Sequence, residues 1–256
     1  AQWGLGRVAL ARTDQNTQRT AVEETLKLSP LHAEARLASA RLLWNSGKQE
    51  RALTELRQAL GQEPIGDQFV WSSKLAKAGS FALLGFIDES RGHLAVARKA
   101  YDEALAADPY MVEALLGAGR VLLRERRWND ALARFESALG MAQKGSASVV
   151  LSGRRADVEA RLGQSRAQLA LNRAAEAKNT LVALMKDNPN DPEIVRAAGQ
   201  AEEAVGNKQG AEELLGKAVE LAPTSFPSYL ALAQFYFKQN RADKASETLN
   251  EAASKV

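Results

Sequence analysis

The sequence predicts an all-α fold, a solenoid made by stacking antiparallel helix pairs. Two observations carry that prediction. The first is a set of small and bulky residues that recurs at a fixed interval. In the stretch from Phe81 to Pro109, Gly85 and Ala97 are twelve apart, Tyr101 follows four later, Ala104 three later and Pro109 five later. Adding 34 to the first four positions gives Gly119, Ala131, Phe135 and Ala138. Self-similarity at this period marks an array of small helical units that bury their apolar faces on one another. The second is the placement of all seven prolines (Pro30, Pro64, Pro109, Pro189, Pro192, Pro223 and Pro227) at the boundaries that this period sets. Proline cannot continue a helix, so it fits the turn that follows a pair.

Small residues at the Gly and Ala positions let the two helices of a unit approach closely, and the bulky residue at position 24 fills the space between units. The pattern resembles the tetratricopeptide (TPR) repeat, whose signature sets a large residue, Leu-Gly, a bulky residue, Ala, an aromatic, Ala and Pro at such spacings. The resemblance covers almost the whole chain and implies a right-handed α-solenoid of antiparallel TPR helix pairs.

Taken in order, seven units are expected in a single solenoid over 1–256. The first, 1–32, keeps Leu5-Gly6 and ends at Pro30, but has Gln18 where the central alanine belongs. It reads like a cut made within a longer protein. The second, 33–66, carries Ala40, Ala52, Leu56, Ala59 and Pro64. An insertion, 67–77, follows. It holds helix formers and no proline, so it is expected to lengthen the first helix of the next unit. The third and fourth units, 78–111 and 112–145, are the clearest. A second insertion, 146–157, precedes the fifth unit, 158–191, whose glycine, Gly163, comes two residues early. The sixth, 192–225, has Gly199, Ala211, Leu215, Ala218 and Pro223, and the seventh, 226–256, has Ala233, Ala245, Leu249 and Ala252. Arrays of this family usually end in an extra helix over the last apolar face. None follows here, so that face is expected to meet more chain, a partner or a neighbouring copy.

Composition removes several function classes. The net charge of +3 over 256 residues is too weak to argue for nucleic acid. There is no cysteine, which excludes disulfides and thiolate metal sites. No apolar run approaches the roughly 18 to 20 residues that span a bilayer. The two histidines, His32 and His93, fall in different turns and are not expected to meet. The segment Gly210 to Lys217 looks superficially like a phosphate loop, but has one residue too many, Ala218 in place of a hydroxyl, and a helical setting. Glu34, Glu113, Glu159 and Glu193 stand at the starts of first helices, where they suit the helix dipole. No catalytic residue, cofactor or metal is expected, and the chain is not expected to be an enzyme.

In the TPR family, positions 2, 5, 9, 12 and 13 of each first helix line a concave groove, an assignment that comes from the resemblance. Position 9 is here Arg7, Arg41, Phe86, Arg120, Arg166, Gln200 and Gln234, and positions 5 and 12 carry Trp3, Leu37, Trp44, Leu116, Leu123, Leu162, Leu169, Leu230 and Phe237. Arginine offers a planar fork for carboxylates, and Arg, Trp and Phe among apolar neighbours are typical of binding hot spots. The expected site is therefore Arg7, Leu37, Arg41, Trp44, Phe86, Leu116, Arg120, Leu123, Arg166, Leu169, Gln200, Gln234 and Phe237. The expected ligand is a segment of another protein with acidic and apolar residues interleaved. The alternative is that the arginines pair with glutamates of adjacent units. The Lys and Asn set with which chaperone adaptors of the family hold an acidic tail is missing. A motility or cell-envelope assembly in a bacterium is the expected setting, with a cytoplasmic location, or a periplasmic one if an upstream signal was removed. A second reading is a structural segment that self-assembles through its terminal repeats.

Two smaller features stand out. Phe69, Val70 and Trp71 have no place in the repeat core, and either form an apolar knob or pack on the neighbouring helix. Arg124, Arg126, Arg127 and Trp128 cluster at the inner turn of the fourth unit. Trp128 reads as structural, and the arginines as a solvated face or a phosphate site.

Overall fold

The computed structural model describes residues 15–144 and 153–256. Among these residues there are thirteen α-helices and no β-strand, with an isolated bridge between Ile65 and Gln68. The chain divides into two compact units, Ala1–Val121 and Leu122–Val256.

In the first unit the helices are α1 (Gln15–Leu28), α2 (Ala33–Asn45), α3 (Gln49–Ala59), α4 (Lys74–Ser90) and α5 (Leu94–Ala107), and the division falls near the end of α6 (Val112–Arg124). In the second they are α7 (Trp128–Lys144), α8 (Ala156–Ala170), α9 (Ala174–Asp187), α10 (Pro192–Ala204), α11 (Lys208–Leu221), α12 (Phe226–Lys238) and α13 (Ala242–Lys255). Within each unit successive helices pack as hairpins, α2 with α3 and α4 with α5 in the first, and α8 with α9, α10 with α11 and α12 with α13 in the second; first helices also touch, α2 on α4 in the first unit, and α8 on α10 and α10 on α12 in the second.

The turn inside each hairpin is the same device six times over. The backbone enters the left-handed region at Gly47, Gly92, Arg126, Asn172, Gly206 and Asn240. Each of these residues donates its N–H three residues back, and the next donates five back, as in Lys48 to Leu43 and Asn207 to Glu202, both at 2.9 Å. This Schellman arrangement satisfies carbonyls that the end of a helix leaves without partners. The positions are 34 residues apart except across the two insertions, where the intervals are 45 and 46.

Helix starts have their own caps. Ser73 accepts the Ala76 N–H, Asp191 accepts those of Glu193 and Ile194 ahead of Pro192, and Asn207 accepts that of Gly210. His32 caps α2, and His93 lies 3.3 Å from Asp88, in a different turn. The segment Gly210 to Lys217 lies within α11, its amides committed to the helix.

The core follows the repeat. Alanines 52, 97, 131, 177 and 211 are buried, as are Leu56, Tyr101, Phe135, Leu181 and Leu215 at position 24. A Cβ on Gly85, in the same hairpin, would lie 2.7 Å from the Tyr101 ring, and one on Gly117, in the next first helix, 2.1 Å. Gly163 meets Phe135 in the same way, at 2.3 Å. Gly163 is thus not an early glycine. It corresponds to Gly117, and Ser165, fully buried, takes the place that Gly85 and Gly119 hold.

The first insertion also differs from its expectation. Only Lys74–Lys77 extend α4, and residues 67–73 form an irregular segment. Val70 fixes it by packing among Ala33, Ala76, Leu31 and Ile65. Most of the second insertion lies outside the described residues.

Candidate functional site

Arg7 and Trp3 lie outside the described residues. In the first unit, α2 carries Leu37, Arg41 and Trp44, α4 carries Phe86, and α6 carries Leu116 and Arg120. Their fates diverge. Leu37 and Leu116 are core residues. Leu37 is seated against α4, where a Cβ on Gly79 would stand 2.5 Å from it. Leu37 is covered because the neighbouring first helix approaches at glycine distance, and Leu116 is likewise buried, so these two are corrections to the expected groove surface. Arg120 is also committed internally. Its Nε and Nη2 donate to the two oxygens of the buried Glu89 carboxylate at 2.9 and 2.8 Å, and the Tyr101 hydroxyl donates to the same carboxylate at 2.8 Å. Burial and then the Glu89 charge push the Tyr101 pKa well above its ordinary value, so the phenol keeps its proton and remains a donor.

Arg41 is held more loosely. Its Nη2 comes only to 3.9 Å of Glu113, and its Nε is buried with no hydrogen-bond partner among the described residues. Trp44 and Phe86 are half-buried. The first unit therefore presents one under-satisfied guanidinium with two aromatic side chains on its first helices.

In the second unit Leu123 is half-buried and Leu169 packs on the core of Leu162, Leu181, Ile194 and Ala198. Arg166 donates to Glu193 at the start of α10. Arg154, just before α8, reaches the same glutamate at 2.6 Å and Asp191 at 2.7 Å. The glutamates at first-helix starts thus do more than face a helix dipole: Glu34 accepts from Ser73 at 2.5 Å, and Glu113 and Glu193 face Arg41 and Arg166 of other first helices. Burial raises the Glu193 pKa, but Arg166, then Arg154 and Arg196, outweigh it and hold the carboxyl below the ordinary glutamate value.

Arg196 was not among the expected site residues. It stands at position 5 of the sixth unit, where the second, fourth, fifth and seventh units have leucine. A lone charge in an apolar register was the signal that could have found it. It is half-buried, and no hydrogen bond or ion pair within 4 Å engages it among the described residues. Burial, then the adjacent Arg166 charge, disfavour its cation, with Glu193 acting the other way. Arg154, an insertion residue, gave no such signal. Farther along the first helices, Gln200 is half-buried, Gln234 is exposed, and Phe237 is 71% exposed.

The chemistry available is recognition. Among the described residues no group of histidine, cysteine and carboxylate side chains could hold a metal ion, and no helix is long and apolar enough to cross a membrane. At the inner turn of the fourth unit Arg127 pairs with Asp130 at 2.7 Å, while Arg124 and Arg126 are exposed.

Family models described as tetratricopeptide repeat match residues 19–67, 89–148 and 196–255, more than half of the chain. The chain belongs to the tetratricopeptide repeat family. Solved TPR structures agree on the all-α solenoid fold. A TPR protein from Parabacteroides merdae aligns over 98% of this chain and 90% of its own, at 15% identity and a TM-score of 0.62. The thermophilic TPR protein TTC0263 from Thermus thermophilus aligns over 70% of this chain and 91% of its own, at 21% identity and a TM-score of 0.59. The hetero-tetramer Cut9-Hcn1 of the APC/C matches 91% of this chain and 42% of its own, at 15% identity and a TM-score of 0.71. At these identities the likeness is one of fold. No curated protein matches the chain. TPR proteins generally mediate protein–protein interaction, and the fold is typically a non-catalytic scaffold.

Proposed function

We propose that this TPR chain is a non-enzymatic scaffold whose first helices hold a segment of another protein, recognising acidic side chains set between apolar ones. The observation that carries the reading is Arg196. Arg196 is half-buried beside a second arginine, and among the described residues no hydrogen bond or ion pair within 4 Å engages it, Glu193 acting on it only from farther away; a charge withdrawn from water with so little direct pairing is a poor arrangement in isolation. A carboxylate arriving from a ligand would satisfy it. Arg41 makes a parallel case in the first unit, where the half-buried rings of Trp44 and Phe86 offer apolar contact. Arg120 and Arg166, bound to Glu89 and Glu193, support the site's architecture rather than its affinity.

The partner is to be identified by a pull-down with the chain followed by mass spectrometry, and its binding then measured against variants. Arg196→Glu and Arg41→Glu should each weaken binding about tenfold or more, the worth of a charge-assisted hydrogen bond. Unchanged affinity in both variants would end the proposal.

A second reading, self-association, draws on a different observation. An apolar cavity of about 580 Å³ opens on α12 and α13, lined by Leu230, Ala233, Phe237, Ala245 and Leu249 among others. Leu215, one repeat earlier, is 0% exposed, whereas Leu249 is 41% exposed. Light scattering over a range of concentrations separates the readings, since a constant monomer mass argues against self-association.

A further inference from the structure

The segment between α3 and α4 holds an apolar surface that the repeat does not need. Its backbone is pinned at three places. Ile65 donates to Gln68 at 2.7 Å and accepts from it at 3.3 Å. Gly61, at a φ of +69°, lies so close to the Val70 carbonyl that a Cβ there would stand 2.7 Å from the oxygen. Val70 itself is buried between Ala33 and Ala76. Val70 is turned inward, whereas its chain neighbours Phe69 and Trp71 stand in solvent. Phe69 is 60% exposed and Trp71 is 94% exposed, and Leu75, four residues on in the first turn of α4, is exposed as well. Trp71 therefore does not pack on a neighbouring helix.

We infer that Phe69, Trp71 and Leu75 form a second docking surface, whose occupant is a protein segment or cleft bearing apolar side chains edged by carboxylates. Exposed tryptophan is costly in water and is the side chain most enriched at interface hot spots. The choice of occupant rests on charge. Lys74 and Lys77 lie beside the apolar residues, both exposed, and neither makes a hydrogen bond or ion pair among the described residues. Asp67 is the exposed acidic residue nearest in sequence. The surface uses none of the residues assigned to the arginine-bearing first helices, and stands or falls apart from that reading.

The test offers a phage-displayed peptide library to the full chain and to its Trp71→Ser variant, with vesicles of phosphatidylglycerol as a second arm. The expected result is enrichment, on the unaltered chain, of peptides with aliphatic or aromatic residues flanked by Asp or Glu. Synthetic versions should bind at least tenfold more weakly to Trp71→Ser. The unfolding midpoint of Trp71→Ser should match that of the unaltered chain, because the indole buries almost nothing. Three outcomes overturn the inference: no such peptides are enriched, the peptides bind Trp71→Ser equally well, or Trp71→Ser lowers the unfolding midpoint. Trp71-dependent binding to the vesicles would also overturn it, by making lipid the occupant.

Discussion

Gly117→Ala is the sharpest perturbation that the packing allows. The added methyl would stand 2.1 Å from Cζ of Tyr101, 2.3 Å from Cε1 and 2.6 Å from the hydroxyl oxygen. The ring cannot retreat, because Gly85 closes its other approach at 2.7 Å and the hydroxyl is tied to the buried Glu89, itself gripped by Arg120. Overpacking a fixed core of this kind costs about 3 kcal/mol, the upper part of the usual range. Alanine repays about 1 kcal/mol through its better helix propensity. The net expectation is a loss of about 2 kcal/mol, read as a lowered urea midpoint with an unchanged slope. Gly140→Ala in α7 is the control, since nothing lies within 4 Å of its added methyl, and it should raise stability by about 0.5–1 kcal/mol. Shrinking the ring with Tyr101→Leu should remove most of the Gly117→Ala penalty when the two are combined. A Gly117→Ala chain as stable as the unaltered one would refute the reasoning.

Other predictions follow from the turns and the ion pairs. Arg126 holds a φ of +61°, which costs an L-residue about 1–2 kcal/mol, so Arg126→Gly should stabilise the chain by about 1 kcal/mol in the same urea assay. Arg120→Ala leaves the buried Glu89 carboxylate short of its main partner and should cost about 2 kcal/mol, whereas Arg41→Ala should change stability by under about 0.5 kcal/mol. Glu193 has a folded pKa below its unfolded one. Its contribution is therefore fully present above the unfolded value of about 4.3 and disappears as pH falls through the folded value. Midpoints of the unaltered chain and of Glu193→Gln should differ at pH 7 and converge in strong acid.

Much of this was legible in the chain. The 34-residue interval, its two interruptions and the alanines of the core could be read because each reflects a local steric demand that recurs. Gly163 was misread because two positions of the first helix, five and seven residues in, both demand a small side chain, and the fifth unit fills the second with Ser165. The irregular stretch before α4 was missed for a different reason. Its residues favour a helix, and what holds it open is the seat that Ala33 and Ala76 provide for Val70, a contact across some forty positions. Ser73 was the clue that the helix begins there. The position-9 arginines show where a register argument ends. Arg120 and Arg166 stand at the same repeat position as Arg41, but whether each is occupied depends on a carboxylate 31 or 27 residues away in a neighbouring helix.

The ring of Tyr101 belongs to two hairpins at once, wedged between a glycine of its own pair and one of the pair that follows. The segment that looks like a module on paper is therefore not the segment that coheres. A proteolytic or engineered cut placed neatly between the two hairpins, near Tyr110, would strip one wall from that wedge, and the piece ahead of the cut would melt earlier than its own helices require. A fragment meant to survive in isolation should be drawn half a period out of step, so that Tyr101 keeps both of its glycines.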